Sequence, residues 1–262
     1  MRPPVVEDFW KNLSRTTQAR IALGRAGASL PTREVLKFSL AHARARDAVH
    51  TPFDHEKIEA EIQKLGFAAL CVASAAPDRA SYLRRPDWGR SLSPQSRVLL
   101  IEQGGKPCDL AIVVADGLSA TAVHTQTAPL LAAFQPYIER AGWRVAPVVV
   151  ASQARVALAD EIGQLLKARA VIVLIGERPG LSSPDSLGIY LTYNPKPGRN
   201  DGERNCISNV RYEGLVHDLA AFKLAWLVDE ALKRKLTGVA LKDESDVLLA
   251  AEGRPALLRT AD

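Results

Sequence analysis

The chain is poor in the patterns that most often declare an activity. It holds three cysteines in 262 residues, Cys71, Cys108 and Cys206, far apart and without a C-x-x-C pair. A structural zinc or a redox dithiol therefore has no framework here, no metal site is expected, and a reducing compartment fits best. No apolar run reaches the eighteen or so residues that cross a bilayer, and the opening MRPPVVEDFWKNL lacks the apolar core of a secretory signal. The cytoplasm is the expected location. No G-x-G-x-x-G follows the first predicted strand of the sheet described below, and there is no G-x-x-x-x-G-K-[ST] loop. A nicotinamide oxidoreductase and a P-loop enzyme are both disfavoured. His42, His50, His55, His124 and His217 show no paired-ligand spacing and read as surface or helix-end residues. Aromatic residues make up only 6%, with no RNA-recognition signature.

What is present is a globular composition, 47% hydrophobic and 24% charged, long enough for one large domain or two ordinary ones. The net charge of +5 and pI of about 9.2 permit contact with phosphates or an acidic partner without demanding it. Three helices are predicted at the front: Asp8 to about Arg25, from Pro31-Thr32 to about Val49, and Asp54 to Leu65. Arg44 and Arg46 near the end of the second complement its dipole. FAALCV, from Phe67 to Val72, suits a short strand or a buried helical turn equally. YLRRPDWGRSLSP reads as a loop whose Arg84, Arg85 and Arg90 either hold acidic groups, with Trp88 as an interface anchor, or are simply solvated. Ser93 then caps a helix, PQSRVLLIEQ, that ends at Gly104-Gly105.

From Leu110 the pattern alternates regularly. LAIVVA, VAPVVVA and VIVLIG are strands, with helices from about Ser119 to Gly142 and from about Val156 to Ala168 between them. Such alternation argues for right-handed crossovers and a parallel sheet. Its strand ends, at Asp116-Gly117-Leu118-Ser119, at Ser152 to Val156 and at Gly176-Glu177-Arg178-Pro179-Gly180, fall on one edge, where open sheets bind ligands. Ser119 suits a helix N-cap better than a nucleophile, since no base is paired with it. LGIYLTYNP is a fourth strand, followed by a polar excursion, a helix from about Leu215 to Lys235 and a mobile tail beyond Gly238. The expected division is a helical N-terminal region and linker over 1–105, a sheet domain over 106–240 and a tail over 241–262.

GRAGASLPTREVLKFSLAHARARDAVH, RRPDWGR, VADGLSATAV, VIVLIGERPGLSSPDSLGIY and RNCISNV together strongly resemble the small subunit, or light chain, of ethanolamine ammonia-lyase, from about Ser14 to Leu236. GERPG followed by NCISN is specific in combination. The resemblance implies an α/β fold, a Rossmann-like sheet domain after a small helical N-terminal subdomain. It also implies adenosylcobalamin held between this chain and a large subunit, a TIM barrel that carries the substrate site. The family's cofactor contacts fall on Val156, Glu177 and Cys206. No D-x-H-x-x-G occurs, which fits an enzyme that keeps the cofactor's own dimethylbenzimidazole beneath cobalt. The expected reaction is ethanolamine to acetaldehyde and ammonia in a hetero-oligomer, with no membrane or nucleic-acid partner and with packaging in a bacterial microcompartment left open. This chain would position and shield the cofactor, and no general acid, base or nucleophile is assigned to it. Two rivals remain: a standalone α/β enzyme using Glu177 and Asp116 as acid–base residues, and, last, a basic nucleic-acid-binding module.

Overall fold

The computed structural model describes residues 5–103 and 106–247. Helices α1 (Thr32–His50) and α2 (His55–Lys64) lead into strand β1 (Ala69–Ala73), and α3 (Arg79–Arg84) and α4 (Pro94–Gln103) follow. Then come β2 (Cys108–Ala115), α5 (Ala120–Ala141), β3 (Val148–Ser152), α6 (Leu158–Leu165), β4 (Ala168–Gly176), β5 (Leu187–Tyr193), β6 (Asn205–Val210) and α7 (His217–Arg234). The strands form one sheet in the order β1-β3-β2-β4-β5-β6, so the fold is α/β as expected. The first four strands are mutually parallel. β5 runs antiparallel to β4 because only ten residues, with no crossover helix, separate them. β6 is antiparallel to β5 and returns to the direction of β4.

Both faces of the central strands are buried, which explains their unbroken apolar runs. Ile58 and Ile62 of α2, Leu130 and Phe134 of α5 and Leu224 and Val228 of α7 pack on one face over Ile112, Val150 and Ile172. Leu100 of α4 and Leu158 and Ile162 of α6 pack on the other over Val113, Val149 and Val173. Ser119 caps α5 as expected, accepting from the Ala122 N–H at 3.1 Å. Val145, where the second strand of the pattern was expected to start, makes only an isolated bridge to Leu110.

FAALCV, which suited a strand or a helical turn equally, contributes an edge strand. Several expectations are corrected. The predicted helix from Asp8 to Arg25 is a 3-10 helix over Phe9–Arg15 followed by extended chain that bridges back through Val6 and Arg25. Its apolar positions have nothing to cover, since Phe9 is 88% and Trp10 60% exposed, so no buried stripe holds an α-helix together. Part of the supposed arginine-rich loop is helical, as α3 and a 3-10 turn at Trp88–Arg90. The polar excursion after β5 contains β6, which the sequence pattern did not show. The stretch 238–247 is anchored rather than loose: Leu241 and Ser245 are buried, and Lys223 bridges Asp243 and Asp246. The rest of the expected tail, and the Gly104-Gly105 end of α4, lie outside the described residues.

Candidate functional site

The strand ends come together at the carboxyl edge through two glycines. A Cβ on Gly176 would lie 2.1 Å from the Ser119 carbonyl oxygen, and one on Gly117 would lie 2.2 Å from that of Gly176. Only glycine permits this approach, in which the Leu118 N–H donates to the Gly176 carbonyl at 2.9 Å. Asp116, at the same edge, is almost wholly buried. It accepts from the Ala154 N–H at 2.9 Å and from the Arg79 guanidinium at 3.1 Å. Burial raises its carboxyl to about 6 despite these donors. Its oxygens are committed to joining the β2 and β3 ends, which argues against the acid–base role of the rival enzyme.

The loop after β4 is fastened on several sides. Ser119 Oγ donates to the Pro184 carbonyl at 2.8 Å. The buried Gln126 side chain reaches Asp185, and Arg20 donates to the Leu181 carbonyl. Glu177 opens this loop, its N–H bonded to the Ser186 carbonyl at 3.0 Å. Its half-buried carboxylate accepts from Ser186 Oγ at 2.5 Å, from Ser208 Oγ at 2.5 Å and from the Asn209 N–H at 3.2 Å. The adjacent guanidinium takes no part in this cluster: Arg178 is exposed, and no ion pair joins it to Glu177. Neighbours at the end of an extended segment point to opposite sides, so adjacency in sequence here means separation in space.

Cys206 lies opposite Tyr190 in the β5–β6 register and on the same side of the sheet as Glu177. Desolvation, with the Glu177 charge adding to it, pushes its thiol up, while the Tyr190 hydroxyl pulls the other way. A thiol so raised stays protonated near neutrality and is a poor nucleophile. Tyr190 is half-buried, and Cys206, Ser208 and Asn209 are exposed, because α6 sits over β2 and β4 and leaves this half of the sheet uncovered. Val156 is half-buried on the turn before α6, at the carboxyl end of β3 on that same side of the sheet. The Glu177 carboxylate thus meets the Cys206 strand directly through Ser208 and Asn209, whereas Val156 borders the area from the neighbouring turn.

Ser186, Ser208, Asn209 and Tyr190 were not singled out by the sequence, although RNCISN carries two of them beside Cys206. The histidines stand apart. His124 accepts from the Asp54 N–H and stacks on Phe53, and His217 pairs with Gln126. Burial lowers the pKa of both rings and keeps them neutral. Among the described residues no three of His, Cys, Asp and Glu gather as metal ligands, and no helix is long and apolar enough to cross a membrane.

The profile of the ethanolamine ammonia-lyase light chain (EutC) family matches residues 7–242. A Pseudomonas fluorescens (strain Pf0-1) protein named ethanolamine ammonia-lyase small subunit is 56% identical over 252 residues, covering 94% of this chain and 91% of its own length. Proteins of the same name from Azotobacter vinelandii (strain DJ / ATCC BAA-1303) and Ralstonia nicotianae (strain ATCC BAA-1114 / GMI1000) are 54% and 53% identical. They cover 94% and 95% of this chain, and 92% and 94% of their own lengths.

Proposed function

The chain belongs to the ethanolamine ammonia-lyase light-chain family, and on that premise we propose that it is the small subunit of an adenosylcobalamin-dependent ethanolamine ammonia-lyase. Its part is to form one wall of the cobalamin site against a large subunit, a TIM barrel that carries the substrate. When bound, the cofactor supplies the radical chemistry by which ethanolamine becomes acetaldehyde and ammonia. Residues 106–240 are the cobalamin-binding part in this reading, and the N-terminal region turns toward the partner.

The residues suit a broad, flat group rimmed with amides. An uncovered patch of sheet offers a ring edge at Tyr190, a protonated thiol at Cys206, a hydroxyl at Ser208 and a fixed acceptor at Glu177. Beneath Glu177 lies Gly188, where a Cβ would come within 3.1 Å of the carboxylate. Val156 supplies an apolar border. Glu177 accepts hydrogen bonds rather than transferring protons, since three donors already fix its oxygens. That arrangement is the observation that carries the reading.

Glu177→Gln tests it in the two-chain complex. The amide keeps shape and one acceptor, and losing a hydrogen bond at a partly solvated site costs roughly 0.5–1.5 kcal/mol. The cobalamin dissociation constant should therefore rise by about tenfold or less, with turnover at saturating cofactor nearly unchanged. Loss of a general acid or base would instead lower saturated turnover by about two to four orders of magnitude, and that outcome would sink the binding role.

A further inference from the structure

The YLRRPDWGR stretch stands out in the sequence, yet none of its residues lies among those assigned to the cofactor. Its contacts are with the turn between β3 and α6. The Gly89 carbonyl accepts from the Arg155 N–H at 2.8 Å, and the Tyr82 hydroxyl donates to the Ala154 carbonyl at 3.0 Å. The Ala154 N–H in turn donates to Asp116. The Arg155 guanidinium lies 4.4 Å from the centre of the Tyr82 ring, and that of Arg79 lies 4.9 Å away. Gly89 fits against that ring with no space to spare, because a Cβ there would meet two ring carbons at 2.8 and 2.9 Å and Arg155 Cγ at 3.0 Å.

The turn needs such a grip. Gln153 adopts a left-handed backbone, with φ of 54°, which side-chain-bearing residues avoid unless their surroundings impose it. Its side chain accepts from Arg79, the same guanidinium that binds Asp116 and the Gly117 carbonyl. Residues 153–155 are thus held from both sides one step before Val156. Trp88, by contrast, lies half-buried with the Arg85 guanidinium 4.6 Å from its ring and takes no part in these bonds.

We propose that Tyr82 and Gly89 are positioning residues that fix the β3–α6 turn so that Val156 meets the cobalamin face at the required height. This rests on the reading of that face as the cofactor wall. The role explains why an aromatic and a glycine occur at this spacing in an otherwise basic stretch: one supplies a buried ring with a hydroxyl at its tip, the other the closest possible approach to it.

The test uses the two-chain complex, with hydroxocobalamin as a probe that binds without turnover. Tyr82→Phe removes only the hydroxyl bond to Ala154. It should speed amide exchange at Ala154 to Ala157 while leaving the sheet amides protected, and weaken hydroxocobalamin binding by about three- to tenfold. Turnover at saturating adenosylcobalamin and recovery of the complex should stay as in wild type. Gly89→Ala should act more strongly in the same direction, and Tyr82→Phe decides the matter if that variant does not fold. Faster exchange at the turn with unaltered affinity would overturn the proposal, as would unaltered exchange. Glu177→Gln is the companion control. If it weakens binding and Tyr82→Phe does not, the positioning role fails alone; if neither does, the reading of the face as a cofactor wall fails and takes this role with it.

Discussion

A carboxylate buried against a guanidinium can be driven either way, toward ionisation by the cation or toward neutrality by the loss of water. At Asp116 desolvation prevails and the carboxyl rises from 3.8 to about 6. Between those values the folded protein binds more protons than the unfolded chain. The stabilising contribution is therefore full below about pH 4 and is lost as pH rises through about 6. Wild type should accordingly lose stability relative to Asp116→Asn between pH 4.5 and 7, by on the order of 2 kcal/mol, in urea unfolding at the two pH values. If the difference moved the other way, Arg79 rather than burial would govern the site. Arg79 itself also donates to the Val49 carbonyl at the end of α1. One side chain thus joins the helical front of the molecule to the ends of two strands.

Between elements a buried polar link ties Arg204, the residue just before β6, to Asp160 of α6. Arg204 and Asp160 are both buried and joined by two parallel bonds of 2.7 and 2.6 Å, with Thr192 Oγ1 and the Arg199 carbonyl taking further guanidinium protons. Breaking such a pair leaves a charge without compensation, and Arg204→Ala should cost about 3–5 kcal/mol. Replacing both, with Arg204→Met and Asp160→Leu, should cost clearly less, as denaturant midpoints of the three variants would show. An equal loss in the double variant would mean that the shape of the pair matters more than its charge. None of this linkage was legible in advance. β6 has only Ile207 and Val210 facing the core, three residues apart because the register shifts opposite Leu187 to Ile189, and that shift breaks the alternation by which strands are recognised. The central strands were legible because burial on two faces writes itself as a run of Val, Ile and Leu. Glu177 could be placed at a strand end from its loop, but its donors come from nine to thirty-two residues further on, beyond the reach of any local pattern. The amphipathic look of residues 8 to 25 misled for the opposite reason, since an apolar stripe specifies a helix only when this chain itself provides something to bury it against.

Over the whole molecule, apolar surface is concentrated at the front. Phe9, Trp10, Leu13, Val35, Leu36 and Phe38 are all exposed, Leu36 to 64%. Patches of this kind mark interaction surfaces or invite self-association. The isolated chain should therefore show a mass that grows with concentration in sedimentation experiments, bind cobalamin weakly and release no ammonia from ethanolamine. Phe9→Ser with Leu36→Ser should reduce the self-association and also weaken capture of the large subunit. Self-association unaffected by those changes would place the contact elsewhere. The order of the strands has a different consequence, one that concerns the ribosome. β1 is made early, yet among the described residues its one neighbour in the sheet is β3. Roughly 75 residues, from Ala73 to Val148, must be translated in between, which at 5–20 residues per second leaves the apolar ALCVA segment waiting about 4–15 s for its partner. Throughout that interval the nascent segment has no strand to pair with, and α2, which packs on it in the folded chain, is the element already synthesised that can cover it.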